Sequence, residues 1–317
     1  MIALDNCIVF GGGGFIGSHL VDALLEKGHR VRCFNRSPIS SSHYSHINNS
    51  NFELFVGDIC NDFDVANALK GCTICFHLIS TTLPSTSNEN PVYDIESNLL
   101  PTIKLLNHAS KVGIKKIIFV SSGGTIYGNP IEIPITENHP TNPICSYGIH
   151  KLAVEKYLAL YKHLYGLNYA VLRVANPFGE RQNIKGSQGA IAVFITKIMK
   201  KEPIEIWGDG STVRDYIYVA DVVSALVLTM KSKNQEIIVN IGSGNGRSIN
   251  EVLNIIEMAT DTKAIRQYRP KRKFDVPINV LSINHAKNIL GWSPQISFEK
   301  GVERFEKWLS EVPELIA

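Results

Sequence analysis

The stretch NCIVFGGGGFIGSHLVDALLEKG, residues 6–28, decides the fold of this 317-residue chain. A strand-like run comes first, four glycines follow it, and Gly17 lies in the opening turn of an amphipathic segment. The spacing fits both GxxGxxG and GxGxxG, and either one allows a tight turn and close approach of the backbone to a pyrophosphate. Because free amide groups at the start of a helix attract anions, this strand–turn–helix unit predicts a dinucleotide-binding site.

The alternation of strand-like and helical segments continues along the chain. Apolar runs recur at residues 30–34, 52–56, 73–78, 116–121 and 169–174. Helical patterns lie between them at Asp62–Leu69, Asp94–Val112 and Ser146–Tyr165, whereas the polar stretches 37–51 and 80–91 are typical of loops. Strands and helices in this order pair in parallel, with helices on both faces. We therefore predict an α/β fold, a Rossmann-type doubly wound parallel sheet.

After about residue 175 the alternation of strand-like and helical segments becomes less regular. Short strands and helices remain, such as IEIW and IIVNIG. This change predicts a smaller α/β substrate-binding domain. We expect residues 1–175 to form the dinucleotide-binding domain and residues 176–317 to form the second domain, with some later segments returning to the first.

Composition and charge exclude several classes of protein. The chain is 44% hydrophobic, its formal charge is +3, and no apolar run approaches the roughly 18 residues of a membrane span. The N-terminus lacks the pattern of a signal peptide. We expect a cytoplasmic protein that binds neither nucleic acid nor membrane.

A cysteine pair and a basic cluster are both interpreted as structural rather than functional features. Cys72 and Cys75 form a CxxC, but no second ligand pair stands at zinc spacing, so we expect buried cysteines and no metal. A basic cluster could be a nucleic-acid patch, a phosphate site or a solvated loop, and on its residues alone the loop is favoured: Arg266, Arg269, Lys271, Arg272 and Lys273.

The end of the second strand bears on the cofactor. Dinucleotide sites usually carry an acidic residue there for the adenosine ribose, but this chain has Asn35 followed by Arg36. An amide does not repel a phosphate, and Arg36 could pair with a 2′-phosphate. The sequence thus leaves NAD and NADP both open. Asp58 follows the third strand, where it could reach the adenine.

Tyr147 and Lys151, in SYGIHK, are one helical turn apart and so share a face. An ammonium close to a phenol favours the phenolate, which predicts a tyrosine whose pKa is brought toward working pH for general acid–base catalysis. A YxxxK spacing is nearly expected by chance in a chain with 11 tyrosines. Its place after the fifth strand of a dinucleotide fold gives it weight.

Motifs along nearly the whole chain, from Cys7 to Leu309, carry a resemblance: GGGGFIGSHL, GDI, FVSSGGTIYG, SYGIHKLAVE, LRVANPFGERQ, WGDGSTVRDYIYVADV and LGWSP. The chain resembles the extended short-chain dehydrogenase/reductases, and among them the nucleotide-sugar epimerases of the UDP-glucose 4-epimerase type. The resemblance implies an NAD- or NADP-dependent enzyme acting on a nucleotide-diphosphate sugar, with residues 176–317 as the nucleotide-sugar-binding domain. It also suggests a homodimer through the helices at 94–112 and 146–165.

The same resemblance implies roles for single residues. Tyr147 would move a proton of a sugar hydroxyl, and Lys151 would hold the nicotinamide ribose. Cofactor contacts would come from Gly11, Gly14, Phe15, Ile16, Gly17, Asn35, Arg36, Asp58, Ile59, Tyr147 and Lys151. Substrate contacts would come from Asn176, Arg214, Arg272 with Asp275, and Asn279. Asn279 is smaller than the tyrosine that some members carry at its position, which predicts tolerance of 2-acetamido sugars.

One position departs from the family pattern. The catalytic Ser or Thr of the family falls on Gly123, flanked by Ser122 and Thr125. Either hydroxyl could replace it, and we favour Thr125. Dehydratases and UDP-glucuronate decarboxylases of this family need extra carboxylates here. This chain has Gly124 and Thr125, so both reactions are disfavoured.

Three functions remain after these exclusions. The favoured one is a 4-epimerase that interconverts gluco and galacto UDP-hexoses, N-acetylated forms included, through a transient 4-keto sugar. The alternative is an NADPH-dependent reductase of 4-keto-6-deoxy nucleotide sugars, which the Asn35–Arg36 pair motivates. A catalytically silent dinucleotide-binding regulator is the third, and it should lack the Tyr147–Lys151 pair that this chain keeps.

Overall fold

A computed structural model of the protein describes residues 4–38, 48–184, 189–271, 276–312 and 314. The chain divides into two compact units. The first consists of Met1–Ile126, Thr141–Arg173 and Val223–Val239. The second consists of Tyr127–Pro140, Val174–Val222 and Asn240–Ala317. The binding roles predicted for residues 1–175 and 176–317 stay predictions.

Strands and helices alternate through most of the chain. The strands are β1 (Asn6–Phe10), β2 (Arg30–Asn35), β3 (Phe52–Val56), β4 (Ile74–His77), β5 (Lys116–Ser122), β6 (Asn168–Val174), β7 (Asn176–Phe178), β8 (Pro203–Trp207), β9 (Val213–Tyr218), β10 (Glu236–Ile241), β11 (Gly246–Ser248), β12 (Ile265–Arg269) and β13 (Ile278–Asn279). The helices are α1 (Phe15–Glu26), α2 (Asp62–Leu69), α3 (Pro91–Asp94), α4 (Leu100–Ala109), α5 (Ser146–Tyr165), α6 (Ala190–Met199), α7 (Val219–Lys231), α8 (Ile249–Thr260), α9 (Asn284–Leu290) and α10 (Phe298–Glu311). A π-helical turn, Ile95–Leu99, joins α3 to α4.

A seven-stranded sheet organises the first unit, in the order β10-β6-β5-β4-β1-β2-β3. The pairs β1–β2, β2–β3, β1–β4 and β4–β5 run parallel. Residues Cys7 to Phe10 of β1 are at most 1% exposed, as a central strand covered on both faces requires. The predicted Rossmann-type doubly wound fold is confirmed. The strand order changes direction between β1 and β4, and such switch points are where open α/β sheets bind ligands.

Two elements add detail to the sequence-based expectations. The run IIVNIG, quoted as an example of the strands after residue 175, forms β10 at the edge of the seven-stranded sheet beside β6. Ile237, Val239 and Ile241 are buried there. The stretch 80–91 ends in a helix start, because Pro91 opens α3 and the Asn90 side chain accepts a hydrogen bond from Tyr93 N at 3.0 Å.

The second unit has its own small sheets and core. The strands β11, β9 and β13 lie side by side, β7 pairs with β9, and β8 pairs with β12. Its apolar core contains Phe178, Tyr218, Phe298 and Phe305. Gly301 in α10 is needed for this packing, since a Cβ there would lie 2.8 Å from the Phe178 ring.

Among the helices that the structure describes, none combines the length and the apolar character needed to cross a lipid bilayer.

Candidate active site

The glycine-rich turn between β1 and α1 leaves no room for side chains. Gly11 has φ +84°, a left-handed conformation that favours glycine. A Cβ at Gly12 would lie 2.5 Å from the sulfur of Cys33, and one at Gly17 would overlap the Gly11 carbonyl oxygen. Hydrogen bonds from Gly11 N to Phe34 O (3.1 Å) and from Gly14 N to Gly11 O (3.0 Å) hold the turn. The start of α1 is therefore open to a ligand.

A cavity of about 210 Å³ lies over this turn. Its walls are Gly11, Gly14, Phe34, Asn35, Arg36, Gly57, Asp58, Ile59, Leu78, Ile79, Ser80 and Thr81. Phe15, Ile16 and Gly17 form the first turn of α1, where no side chain caps the helix and no acidic residue competes for the amide donors. An uncapped helix start and a glycine cradle fit the pyrophosphate of a dinucleotide.

The end of the cavity near β2 and β3 carries mixed charge. Asn35 Nδ2 donates to Ser37 O at 2.8 Å, which orients the amide, and the Arg36 side chain is exposed. Asp58 Oδ1 accepts a hydrogen bond from Cys60 N at 2.9 Å. A hydroxyl can bind to the amide or the carboxylate, and a phosphate can bind to the guanidinium.

Lys151 is buried, at 3% exposure, where α5 packs against the end of β5. Its Nζ donates to Val120 O at 3.0 Å and lies 4.7 Å from the centre of the Phe119 ring. Burial lowers the pKa of Lys151 to about 8, because the charged form loses its hydration.

The pKa of Tyr147 shifts in the direction opposite to the expectation. Burial raises its pKa to about 12, opposed by a hydrogen bond with the Ser80 side chain that favours the phenolate. The predicted lowering by Lys151 is therefore wrong for the chain alone. Lys151 Nζ binds the Val120 carbonyl and lies 5.6 Å from the centre of the Tyr147 ring, rather than against the phenol oxygen.

The turn after β5 brings a hydroxyl to the start of α5. Thr125 Oγ1 is buried and has no hydrogen-bond partner among the residues that the structure describes. Gly148 allows this approach, since a Cβ there would lie 2.9 Å from Thr125 O. Ser122 ends β5 and its carbonyl accepts from Ile126 N at 3.3 Å, while Ser121 Oγ already donates to Glu155 at 2.6 Å. Thr125 thus has the free hydroxyl capacity that the sequence expectation requires.

Three candidate substrate residues lie close together in the second unit. Arg214 on β9 stands in register with Asn279 on β13, and Asn176 on β7 stands opposite Tyr216, two residues along β9. Asn176 Nδ2 donates to Asp215 O at 2.9 Å, and Asn279 is only 1% exposed. Arg272 and Asp275 lie outside the described residues.

The basic cluster is partly neutralised. Arg266 binds Glu257 at 2.9 Å and Arg269 binds Glu205 at 2.7 Å. These pairs match a solvated surface better than a polyanion-binding patch, because both guanidinium groups already have carboxylate partners.

Ser80 was missed at the sequence level. It follows β4 by three residues, lines the cavity over the glycine turn and lies near the Tyr147 hydroxyl, whose pKa it lowers, while its own hydroxyl donates to Thr82 O at 3.2 Å. The available signal was its position, because side chains after the carboxyl ends of parallel strands converge on the ligand site.

Comparisons with known proteins agree with this geometry. The model of the family described as "NAD dependent epimerase/dehydratase family" matches residues 7–242. A Methanocaldococcus jannaschii protein provisionally named UDP-glucose 4-epimerase is 39% identical over 95% of this chain and 97% of its own length. The dTDP-4-dehydro-6-deoxyglucose reductase of Escherichia coli is 30% identical over 96% of this chain and 97% of its own.

A solved structure supports the same placement. The UDP-glucose 4-epimerase of Thermotoga maritima, determined with UDP-glucose, superposes with a TM-score of 0.91 and 35% identity over 97% of this chain and 99% of that one. The match covers both units of the chain, and the family model includes the glycine turn and the Tyr147–Lys151 pair. The chain therefore belongs to the NAD dependent epimerase/dehydratase family.

Proposed function

We propose that the protein is a 4-epimerase that interconverts gluco and galacto UDP-hexoses with NAD or NADP. The observation that carries the proposal is the group formed by Tyr147, Lys151 and the unpartnered Thr125 hydroxyl, which Ser80 connects to the dinucleotide cavity. The names of the relatives support the reaction class.

Each residue of the site has its own role in the proposed reaction. The chemistry that a bound nicotinamide would supply is hydride transfer from and back to C4 of the sugar. Tyr147 Oη removes the proton of the C4 hydroxyl and returns it later, with Ser80 supporting the phenolate. Thr125 Oγ1 binds the same sugar oxygen. Lys151 keeps two ammonium hydrogens for ribose hydroxyls beyond its bond to Val120 O.

The turn after β5 also limits the chemistry. Elimination of water or loss of a carboxylate needs acid–base groups besides the tyrosine, and Gly124 and Thr125 supply no carboxylate. We infer that the 4-keto sugar is turned over in the site and reduced on its other face.

A specific observation favours a second candidate, the NADPH-dependent reductase of a 4-keto-6-deoxy nucleotide sugar. Arg36 lines the cavity beside Asn35, where a 2′-phosphate would bind. The Escherichia coli relative named above carries such an activity in its name.

One assay distinguishes the two functions. We expect the purified protein to convert UDP-glucose to UDP-galactose, and UDP-N-acetylglucosamine to its galacto form, without added reductant and without change in absorbance at 340 nm. Stoichiometric NADPH oxidation with a 4-keto-6-deoxy sugar nucleotide, and no epimerisation of either pair, would establish the reductase instead. Strict preference for the unsubstituted sugar would overturn only the proposed role of Asn279.

Arg214 is proposed to hold the diphosphate of the substrate. A guanidinium binds phosphate in a bidentate manner that lysine cannot reproduce, so we expect Arg214→Ala and Arg214→Lys both to weaken UDP binding about 10-fold or more. Calorimetric titration with UDP measures this. Arg269→Ala is the matched control, because its guanidinium binds Glu205 on the surface. Unchanged UDP affinity in both Arg214 variants would remove Arg214 from the site.

The homodimer stays a prediction. Exposed apolar side chains on the two proposed helical segments support it: Ile95 (41%), Leu100 (48%), Ile149 (55%), Leu160 (43%) and Leu164 (54%). Sedimentation equilibrium at micromolar chain concentration tests it, since a monomer mass would contradict it.

A further inference from the structure

A buried carboxylate joins several segments of the first unit. Asp94, the last residue of α3, is fully buried. Its carboxylate accepts hydrogen bonds from four other side chains. Ser146 Oγ donates at 2.7 Å and His150 Nδ1 at 2.9 Å to one oxygen, while the Thr82 hydroxyl and Asn98 Nδ2 donate to the other. A carboxylate with this many donors is stable as the charged form, despite its burial.

Three of the four donors to Asp94 come from the two segments that carry Tyr147 and Ser80. Ser146 and His150 flank Tyr147 on α5, and the His150 ring lies edge-on to the Tyr147 ring with centres 5.1 Å apart. Thr82 belongs to the segment after β4 that also carries Ser80, the partner of the Tyr147 hydroxyl. Asp94 therefore connects the helix that carries Tyr147 to the segment that carries Ser80. It does so alongside two direct contacts between these segments, from Ser146 N to Asn88 Oδ1 (2.9 Å) and from Tyr147 N to Ser87 Oγ (3.0 Å).

The π-helical turn that follows Asp94 strengthens the connection. Its Asn98 Oδ1 accepts from Thr81 N at 2.9 Å, and its Ser97 hydroxyl binds the Thr81 hydroxyl at 2.6 Å. Single π turns inside helices are frequent at functional sites, because they re-aim side chains that a regular helix would place elsewhere. Here the turn fixes a wall of the dinucleotide cavity, since Thr81 lines it.

The protonation states follow from the surroundings. Burial and the nearby Lys151 ammonium lower the pKa of His150 to about 4, so its imidazole is neutral at neutral pH. Although burial alone would raise the pKa of Asp94, the hydrogen bonds from Thr82, His150 and Ser146 hold it below the usual value. His150 therefore donates its Nδ1 hydrogen to an ionised carboxylate.

We propose that Asp94 and His150 act as a positioning pair, which fixes the Tyr147 hydroxyl against Ser80 and the dinucleotide cavity. The proposal rests on the proposed role of Tyr147 as the acid–base group. Neither residue of the pair touches the reacting atoms. Without the pair, the backbone of the first turn of α5 stays bonded to Ser87 and Asn88, but the side chains of Ser146, His150 and Thr82 lose their shared acceptor. Small displacements of a catalytic group cost large factors in rate.

Two substitutions of His150 separate positioning from stability. In His150→Asn the amide nitrogen takes the place of Nδ1 and can still donate to Asp94, whereas His150→Leu has no donor. We expect His150→Leu to lower kcat about 10- to 100-fold with little change in KM, and His150→Asn to recover most of the loss. His108→Leu, which breaks the 3.1 Å contact with Asp62 elsewhere in the first unit, should leave kcat unchanged. Equal kcat values in the two His150 variants would overturn the proposal.

Asp94→Asn provides a second measurement if His150→Leu does not fold. The charged or titratable groups that act on Tyr147 are Asp94 and Cys145, and those that act on Lys151 are Asp94 and Glu155. Because the charge of Asp94 raises the pKa of Tyr147, its removal should move the acidic limb of the kcat/KM profile to lower pH, along with a loss of kcat. An unshifted limb with wild-type kcat would overturn the proposal.

Failure of the inference and failure of the proposed function give different results. If Tyr147→Phe keeps its activity, the function assigned to Tyr147 is wrong. If Tyr147→Phe is inactive while His150→Leu and Asp94→Asn match the wild type, the assignment of Tyr147 stands and only the positioning pair is wrong.

Discussion

Tyr147→Phe should lower kcat by about 10²- to 10⁴-fold, the contribution typical of a general acid–base group. The substitution removes one oxygen atom and leaves the ring in its packing against His150. Since only the hydroxyl is lost and the ring stays in place, the affinity for NAD should change little. Steady-state rates and a titration with NADH, followed by fluorescence, measure both quantities on the same preparation.

Tyr161→Phe is the matched control for this experiment. Tyr161 lies on the same helix and packs its ring on Tyr165, 5.2 Å away. It should keep the wild-type rate, because its hydroxyl has no part in the proposed reaction. A Tyr147→Phe enzyme that turns over near the wild-type rate would show that another group moves the proton.

Gly17→Ala should reduce dinucleotide affinity by about 100-fold or more, because lost charge-assisted hydrogen bonds each contribute ~1.5–3 kcal/mol. An added Cβ would overlap the Gly11 carbonyl oxygen and lie 2.9 Å from Gly12 Cα. These are backbone atoms, which cannot rotate away as a side chain can. The turn itself must move, and with it the amide donors at the start of α1.

Gly71→Ala separates this effect from ordinary backbone strain. Gly71 also has a positive φ, of +77°, but a Cβ there meets nothing within 4 Å. It should cost ~1–2 kcal/mol of stability and leave cofactor affinity intact. Titration calorimetry with NAD and with NADP on both variants checks the prediction and also measures the preference that Asn35 and Arg36 leave open. Wild-type affinity in Gly17→Ala would remove the glycine turn from the binding site.

Local patterns allowed much of the fold to be predicted. The boundaries expected for β1 and for the helix Ser146–Tyr165 agree with the structure, because strand and helix periodicities are local properties of the chain. The sequence did not identify β10 as one of the later segments that return to the first sheet, for the opposite reason. Its apolar run predicts a buried strand, but its neighbour β6 lies about sixty residues earlier, and no local pattern specifies that pairing.

The candidate site, like the fold, could be predicted only in part. The glycine turn and the Tyr147–Lys151 spacing lie within short segments, so the sequence alone predicted them. The contact of Ser80 with Tyr147, and the bonds from Ser146, His150 and Thr82 to Asp94, join residues from separate segments of the chain and have no signature in spacing. The direction of the Tyr147 pKa shift was wrong because burial, which a spacing rule does not measure, is the largest influence on that pKa.

The central claim is that one site removes a hydride from C4 of the sugar and returns it to the same carbon. UDP-glucose carrying deuterium at C4 tests this most directly, with the UDP-galactose product analysed by mass spectrometry and proton NMR. The account predicts that the product keeps the deuterium at C4, in a reaction that needs no added reductant. Loss of the label to solvent, or formation of product only while NADPH is consumed, would contradict it.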